Sequence, residues 1–489
     1  MNNLAYILSE QGDLLGARRL YEEIVAVKRR IWGPEHPDTL SSINNLANTL
    51  GEQGDLVGAR RLHEETLAVR SRILGPEHPD TLNSMNDLAS RLGDLGNLVG
   101  ARKLHEETLA GRRKVLGPEH PDTLTSMNNL AHVLSEQGDL LHARRLHEQT
   151  LAVRRRVLGP EHPETLDSMS NLASMLEEHG DLTGAQRLHE ETLAVDRRVL
   201  GTEHPRTLIE MNNLANVLLE EGDLVGARRL HEETLAVRRR VLGPEHPDTL
   251  SSINNLANTL GEQGDLVGAR RLHEETLAVR RRVLGPEHPD TLSSMSNLAG
   301  TLGQQGDLVG ARRLYEETLA VLRQLLEPED PDILNLMTNV AENLREQGEL
   351  ARARELFEET LPVLRKLLGP EHTSTLRCQA NLAETLRQQG ELARARELND
   401  QVLSVRRRLL GPEHTDTSTT AWNLFRTLHD MDDREAADAT LQRDLIWLLD
   451  RNPATLSAYH RKIREMLASL PNGYLPPEKR RSLWKRMFG

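Results

Sequence analysis

Apolar residues recur along the chain with the spacing of amphipathic helices. Within residues 33–74, one apolar stripe consists of Leu40, Ile43, Leu46, Ala47 and Leu50. Pro37 is suited to the first turn of this helix, where its missing N–H costs nothing. Gly54 can adopt the left-handed conformation that ends a helix, and Asp55 is a suitable N-cap for a second helix. That second helix is carried by Leu56, Ala59, Leu62, Thr66, Leu67 and Val69 until Gly75-Pro76 ends it. The pattern predicts a helical hairpin that cannot cover its apolar face alone.

This hairpin pattern returns every 42 residues, without insertion or deletion. A Gly-Pro-Glu-His junction opens the unit at Gly33, Gly75, Gly117, Gly159, Gly243, Gly285, Gly369 and Gly411. A fixed period of this size is typical of a stacked array and not of a globular enzyme. We predict an all-α solenoid in four parts: a partial repeat at 1–32, nine complete repeats at 33–410, a degenerate repeat at 411–449, and a capping helix with a basic tail at 450–489.

The period alone would also fit HEAT or armadillo repeats. The small-residue pair Ala47 and Ala59, the NNLA segment and the Gly-Asp-Leu-x-x-Ala segment resemble tetratricopeptide repeats. The segments 44–47, 53–55 and 74–79 are similar to the 42-residue repeats of kinesin light chains. They also resemble bacterial tetratricopeptide proteins that often carry an upstream signal-transduction NTPase. The resemblance implies a right-handed superhelix of hairpins with a groove that binds a peptide or protein.

One second-helix position departs from the aromatic packing that the resemblance implies. It is aromatic at Tyr21, Tyr315 and Phe357, but elsewhere it is histidine, at His63, His105, His147, His189, His231 and His273.

Net charge, cysteine content and hydropathy limit the kinds of ligand and the cellular locations that we expect for this chain. The net charge of −13 argues against nucleic acid as the main ligand, because binding phosphates needs a surface dominated by Lys and Arg. The single cysteine, Cys378, cannot form an internal disulfide, which suits a cytoplasmic location. There is no signal peptide and no apolar run of about 18 residues, so a membrane span is not expected.

The most persistent polar column lies on the predicted first helices. It contains Asn3, Asn45, Asn129, Asn171, Asn213, Asn255, Asn297, Asn339, Asn381 and Asn423, with Asp87 as the substitute. On a helical wheel the column points away from the apolar stripe. Asparagine both donates and accepts hydrogen bonds, so a row of these residues could pair with the backbone of an extended peptide. Alternatively, each amide bonds the adjoining hairpin and fixes the stacking. The resemblance favours peptide binding, and we assign that role to the column from Asn45 to Asn381. The variable position three residues later adds the candidates Asn48, Asn216 and Asn258.

An acidic column follows in the last turn of the first helices. Its members are Glu10, Glu52, Asp94, Glu136, Glu178, Glu220, Glu262, Glu346 and Asp430. Negative charge there opposes the helix dipole and needs a reason. One interpretation is an acidic groove for basic or polar peptides, and the other is pairing with Arg60, Arg61 and their equivalents. We favour the pairing for most repeats.

No feature of the chain predicts catalysis or a cofactor. The histidines fall into columns of one per repeat, whereas zinc needs three or four ligands at one point. His36, which precedes Pro37, is expected to lie at the start of a helix. There is no GxxxxGK[ST] phosphate loop and no candidate nucleophile outside the repeats, so we predict that the chain is not an enzyme.

The two ends of the array differ from its middle. Met1 aligns with Ile43, which suggests a start in the middle of a helix and an upstream extension or a misassigned start codon. Near the other end, one face of a predicted capping helix carries Leu456, Tyr459, Ile463, Leu467 and Leu470. The basic tail could instead contact acidic lipid, RNA or the acidic groove of the array. The pattern as a whole predicts a protein-interaction scaffold. The alternative is the sensor arm of a larger signalling NTPase, with which the chain would then associate.

Overall fold

The computed structural model describes residues 2–10, 13–451, 453 and 456–469, and its regular elements are helices. The first helices of successive hairpins are α1 Asn2–Glu10, α3 Pro37–Glu52, α5 Pro79–Asp94, α7 Pro121–Glu136, α9 Pro163–Glu178, α11 Pro205–Glu221, α13 Pro247–Gln263, α15 Pro289–Gln304, α17 Pro331–Glu346, α19 Thr373–Gln388 and α21 Thr415–Asp430. The second helices are α2 Leu14–Trp32, α4 Leu56–Leu74, α6 Leu98–Val115, α8 Leu140–Val157, α10 Leu182–Val199, α12 Leu224–Val241, α14 Leu266–Val283, α16 Leu308–Leu325, α18 Leu350–Leu367, α20 Leu392–Leu410 and α22 Arg434–Thr440. A π-helical turn at Leu441–Leu445, α23 Trp447–Asp450 and α24 Ala458–Ala468 follow. The predicted all-α array of helical hairpins is confirmed.

Local sequence sets where each helix begins and ends. Helix α3 begins at Pro37, and His36 caps it, because Nδ1 of His36 accepts a hydrogen bond from the Asp38 N–H at 3.2 Å. Gly54 has a φ of 87°, the left-handed conformation that ends the helix. Oδ1 of Asp55 accepts from the Gly58 N–H at 2.9 Å and caps α4. The expected placement of His36, Pro37, Gly54 and Asp55 is confirmed.

The helices form two compact units, Met1–Leu176 and Glu177–Gly489. Within each unit, the core is built from the apolar stripes that the sequence predicts. Ile43 is 1% exposed, and Ala47 and Ala59 are fully buried where α3 meets α4. Small side chains at this crossing let the two helices approach closely, and larger ones above and below fill the remaining space.

The C-terminal helix α24 packs against α21 in the second unit. Ile463 and Leu467 join an apolar cluster there with Phe425 and Trp422, whose rings stack at 5.4 Å. Tyr459 was expected on the same buried face, but its side chain is 53% exposed. Leu470 and the basic tail lie outside the described residues.

Candidate functional site: the first-helix face

Successive first helices contact each other, as α5 does α7 in the first unit and α17 does α19 in the second. In the first unit, Nδ2 of Asn129 on α7 donates to Oδ1 of Asn86 on α5 at 2.9 Å. Such short amides bridge only a narrow gap. Between second helices the bridges are long, as where Nη2 of Arg239 on α12 contacts Glu275 on α14 at 2.9 Å. Within each unit, the first-helix side is therefore the inner side, and we call its surface there the concave face. It is defined by positions 45, 48 and 52 and their equivalents.

The predicted amides lie at different depths on the concave face. The half-buried ones are Asn45, Asn129, Asn213, Asn216, Asn255, Asn297, Asn339 and Asn381, and the exposed ones are Asn48, Asn171 and Asn258. Half-burial was not expected from the helical wheel of a single hairpin. It arises because the neighbouring first helix covers one side of each amide.

In the second unit, two more amides bond the preceding first helix. Nδ2 of Asn255 donates to Oδ1 of Asn212 at 2.6 Å, and Nδ2 of Asn297 donates to Oδ1 of Asn254 at 2.8 Å. These bonds provide the stacking contact that was the alternative to peptide binding. An amide has a second N–H and a carbonyl oxygen, and for Asn255 no described residue bonds to either. The amide ladder, meaning this row of bonded asparagines, therefore keeps hydrogen-bonding capacity on the concave face.

Asp87 takes the place of asparagine in the first unit and reverses the direction of the bond. Nδ2 of Asn44 donates to Oδ2 of Asp87 at 2.9 Å, so the carboxylate accepts where an amide would donate. The ladder thus tolerates a residue with no donor, provided that the preceding helix supplies one.

The acidic column also lies on the concave face, one turn beyond the amides. Glu220 and Glu262 are exposed, yet burial raises the pKa of both carboxyls, which places them in a concavity. Among the described residues neither has an ion-pair partner. The arginines expected to neutralise them pair within their own helices, Arg228 with Glu232 and Arg270 with Glu274, each at 2.7 Å. The favoured pairing is therefore wrong for these two glutamates, because a partner four residues along the same helix is nearer.

Two polar columns that hold the hairpins together were not singled out from the sequence. Nε2 of Gln263 donates to the Leu224 carbonyl at 2.8 Å, which ties the end of α13 to the start of α12. The buried Arg238 donates from Nη1 to Oγ of Ser252 at 2.9 Å. Both residue types recur with the period of the repeat, and that recurrence was the available signal.

The second-helix histidines are core residues. His231 is 1% exposed, and burial lowers its pKa to about 4. Tyr315 and Phe357, which occupy the same column, are buried as well. In the described part of the chain, no group of three His, Cys, Asp or Glu side chains is placed to hold a metal ion, and no helix has the length and apolar character to cross a membrane.

Comparison with known proteins identifies the repeat. Two family models, both described as Tetratricopeptide repeat, match the chain: one at residues 92–155, 128–198, 207–280, 253–324, 332–407 and 380–443, the other at 1–38 and 39–80. Among solved structures, the chain is similar to a putative kinesin light chain with nearly identical TPR-like repeats from Podosopora anserina, at 30% identity and a TM-score of 0.36, over 42% of this chain and 98% of that chain. It is also similar to BtubC (BKLC) from P. vanneervenii, at 22% identity and a TM-score of 0.38, over 52% of this chain and 94% of that chain. No curated protein matches. Since the first family model matches well over half of the residues, the chain belongs to the tetratricopeptide repeat family, whose members generally serve as protein-interaction scaffolds.

Proposed function

We propose that the concave face binds an extended segment of another protein. The observation that carries the proposal is the amide ladder, in which the preceding first helix holds the side chains of Asn129, Asn255 and Asn297. Because the Asn212 contact holds the Asn255 side chain in place, little side-chain entropy is lost when its remaining N–H meets a peptide carbonyl. Each such bond contributes only about 0.5–1.5 kcal/mol, so affinity comes from several repeats acting together.

The charge of the concave face favours a basic segment. Glu220 and Glu262 are the relevant groups, because they are exposed to the ligand side and have no ion-pair partner among the described residues. The electrostatic attraction between a lysine or arginine and a partly desolvated carboxylate is stronger than the same attraction on an open surface. The partner we propose is therefore a lysine- or arginine-containing segment in an extended conformation.

A peptide-binding measurement on the full chain tests this function. The probes are labelled peptides of about twelve residues, roughly 40 Å long when extended. One is lysine-rich, one glutamate-rich and one neutral, and binding is followed by fluorescence anisotropy. We expect the lysine-rich peptide to bind best.

Paired glutamine substitutions distinguish binding at Glu220 and Glu262 from a non-specific attraction of the peptide to the net negative charge of the chain. Glu220→Gln with Glu262→Gln should weaken binding by about tenfold, the equivalent of about 1.4 kcal/mol. The control is Glu232→Gln with Glu274→Gln, which makes the same change in net charge on second helices where both residues are exposed. Equal weakening by the two pairs, or no preference for the lysine-rich peptide, would contradict the proposal.

We also propose a cytoplasmic location for this binding. Cys378 is fully buried, and burial raises the pKa of its thiol to about 11, so the thiol stays protonated. A single inert thiol suits a reducing compartment, where no disulfide is needed for stability.

A further inference from the structure

Gly222 makes a close backbone contact that its counterpart in the next repeat, Gly264, does not make. It ends α11 in the left-handed conformation, with a φ of 88°. A Cβ at this position would lie 2.9 Å from Cα of Ser457 and 3.0 Å from the Leu456 carbonyl oxygen. Gly264 has the same role and a φ of 89° one repeat later, but a Cβ there would meet nothing within 4 Å. The close contact at Gly222 is therefore absent one repeat later, and only glycine leaves room for it.

The segment that reaches Gly222 comes from the end of the second unit. Ser457 is the N-cap of α24, and its Oγ accepts from the His460 N–H at 3.2 Å. Nη2 of Arg451 contacts Glu413 at 2.8 Å and anchors the segment to the loop before α21. The array within this unit therefore returns on itself, so that its last elements meet helices from several repeats earlier.

A cavity of about 1000 Å³ lies where the returning segment meets the earlier repeats. Glu220 and Glu262 line one side of it, and Leu456, Tyr459 and His460 line the other. A second contact closes its edge, since a Cβ on Gly180 would lie 3.5 Å from the His414 ring. The walls of the cavity thus combine the acidic column with the C-terminal segment.

Tyr459 lines the cavity together with Glu220 and Glu262. Its side chain is 53% exposed, yet burial raises its pKa, and Glu262, Glu342 and Asp416 raise it further. An aromatic ring that is open to solvent and close to carboxylates from both α13 and α17 occupies space that an extended ligand on the acidic column would need. Asp416 on α21 also raises the pKa of Glu220, so the closed arrangement brings like charges together.

We propose that Leu456, Ser457 and Tyr459 form a latch that closes the concave face of the second unit and competes with a basic peptide for Glu220 and Glu262. The proposal rests on the proposed function, because it assumes that the acidic column binds the peptide. Because the latch occupies the space beside Glu220 and Glu262, a basic ligand binds the open state better and so shifts the population towards it. If the open state makes up about a tenth of the molecules, the apparent affinity is about tenfold weaker than the intrinsic affinity.

Two matched substitutions test the latch in the full chain. Gly222→Asn and Gly264→Asn place the same residue at the same left-handed position, which asparagine tolerates better than other side chains. Only the first meets Leu456 and Ser457. We expect hydrogen exchange of the α24 amides to accelerate in Gly222→Asn and to match the unsubstituted chain in Gly264→Asn. Equal exchange in the two variants would overturn the latch.

Binding of the lysine-rich peptide then separates the latch from the proposed function. We expect Gly222→Asn to bind the peptide about tenfold more tightly than Gly264→Asn, and Tyr459→Ser to bind about threefold more tightly than the unsubstituted chain. If all the chains bind equally while α24 exchange differs, the contact exists but does not control the concave face, and the inference fails while the proposed function stands. If none binds even when α24 is released, the proposed function fails, and the latch has no ligand to exclude.

Discussion

Nε of Arg206 donates to the Asp196 carboxylate at 3.2 Å, and this pair reverses the charges of the next junction between repeats. There, Arg238 occupies the position of Asp196, and Asp248 that of Arg206, with Nη1 of Arg238 donating to the Asp248 carbonyl at 3.1 Å. Asp196 is fully buried, so an unsuitable partner would leave its charge uncompensated. In an array of nearly identical repeats, the reversal makes the junction between α10 and α11 different from the others and favours one order of stacking.

Exchanging the two charges tests this pair. Arg206→Asp should destabilise the second unit by about 3–5 kcal/mol, because it leaves the buried carboxylate facing another one. Glu210, whose charge already raises the pKa of Asp196, adds to the repulsion. Combining Arg206→Asp with Asp196→Arg restores the arrangement at Arg238 and Asp248 and should recover most of the loss. Urea unfolding of the full chain measures the effect. A double variant as unstable as the sum of the two single variants would contradict the pairing.

Each buried arginine equivalent to Arg238 can be replaced by an apolar residue, provided that the serine to which it donates is replaced as well. Arg280 donates to Oγ of Ser294 at 2.9 Å, whereas the next repeat places Leu322 and Leu336 at the same two positions. We expect Arg280→Leu combined with Ser294→Leu to be neutral or stabilising, because buried polar pairs lose much of their attraction to desolvation. Ser294→Leu alone should destabilise the chain by about 1–3 kcal/mol, since the buried guanidinium loses one of its two acceptors and keeps only the Asp290 carbonyl. Thermal unfolding distinguishes the two outcomes, and equal losses would show that the leucine pair cannot replace the polar one.

The buried histidines predict a loss of stability in mild acid. Burial lowers the pKa of His105, His147, His231 and His273 to about 4 in the folded chain, from an ordinary value of 6.5. Between these two values the unfolded chain binds more protons than the folded one. Their contribution to stability is therefore complete above pH 6.5 and is lost as the pH falls towards 4. At about pH 5, each buried histidine should lower the free energy of unfolding by about 2 kcal/mol relative to neutral pH.

Aromatic replacements isolate that contribution from the titration of carboxylates. His231→Phe with His273→Phe copies the residue found at Phe357, which is buried in the same column. We expect the melting temperature of this variant to fall less than that of the unsubstituted chain between about pH 7 and about pH 5. Phe357→Leu, a change in the same column that removes no titratable group, is the control and should leave the pH dependence unchanged. If the double variant shows the same acid sensitivity, the buried histidines are not its source.

The sequence predicted the parts of the fold that depend on neighbours along the chain. Pro37, Gly54 and Asp55 act within a few residues of their own position, so their roles could be inferred from one repeat. The same holds for Ile43 and Ala47, whose burial follows from helical periodicity. Because the 42-residue period places equivalent residues in each repeat, the same assignments apply to the other hairpins.

The features that were missed depend on distances across repeats. Asn255 is half-buried by a first helix that the helical wheel of its own hairpin does not contain. The contact between Gly222 and Ser457 depends on small rotations that accumulate from repeat to repeat, and no local pattern encodes their sum. Asp196 and Arg206 were visible as departures from the repeat, but their meaning required knowing that the two positions meet.

Asn255→Asp separates the two roles of the amide ladder. At Asp87 the ladder already works with a carboxylate that accepts from the preceding Asn44, so the new carboxylate can accept from Asn212 in the same way. We therefore expect the melting temperature to change little. The substitution removes the N–H that a peptide carbonyl would use, so affinity for a neutral extended peptide should fall by about five- to tenfold, as expected for one lost hydrogen bond. Gln324→Glu makes the same change in net charge at an exposed position of the second helix α16, away from the concave face, and controls for electrostatics. If the two variants bind equally well and only Asn255→Ala lowers stability, the ladder serves stacking alone, and the peptide must be bound by other groups on the concave face.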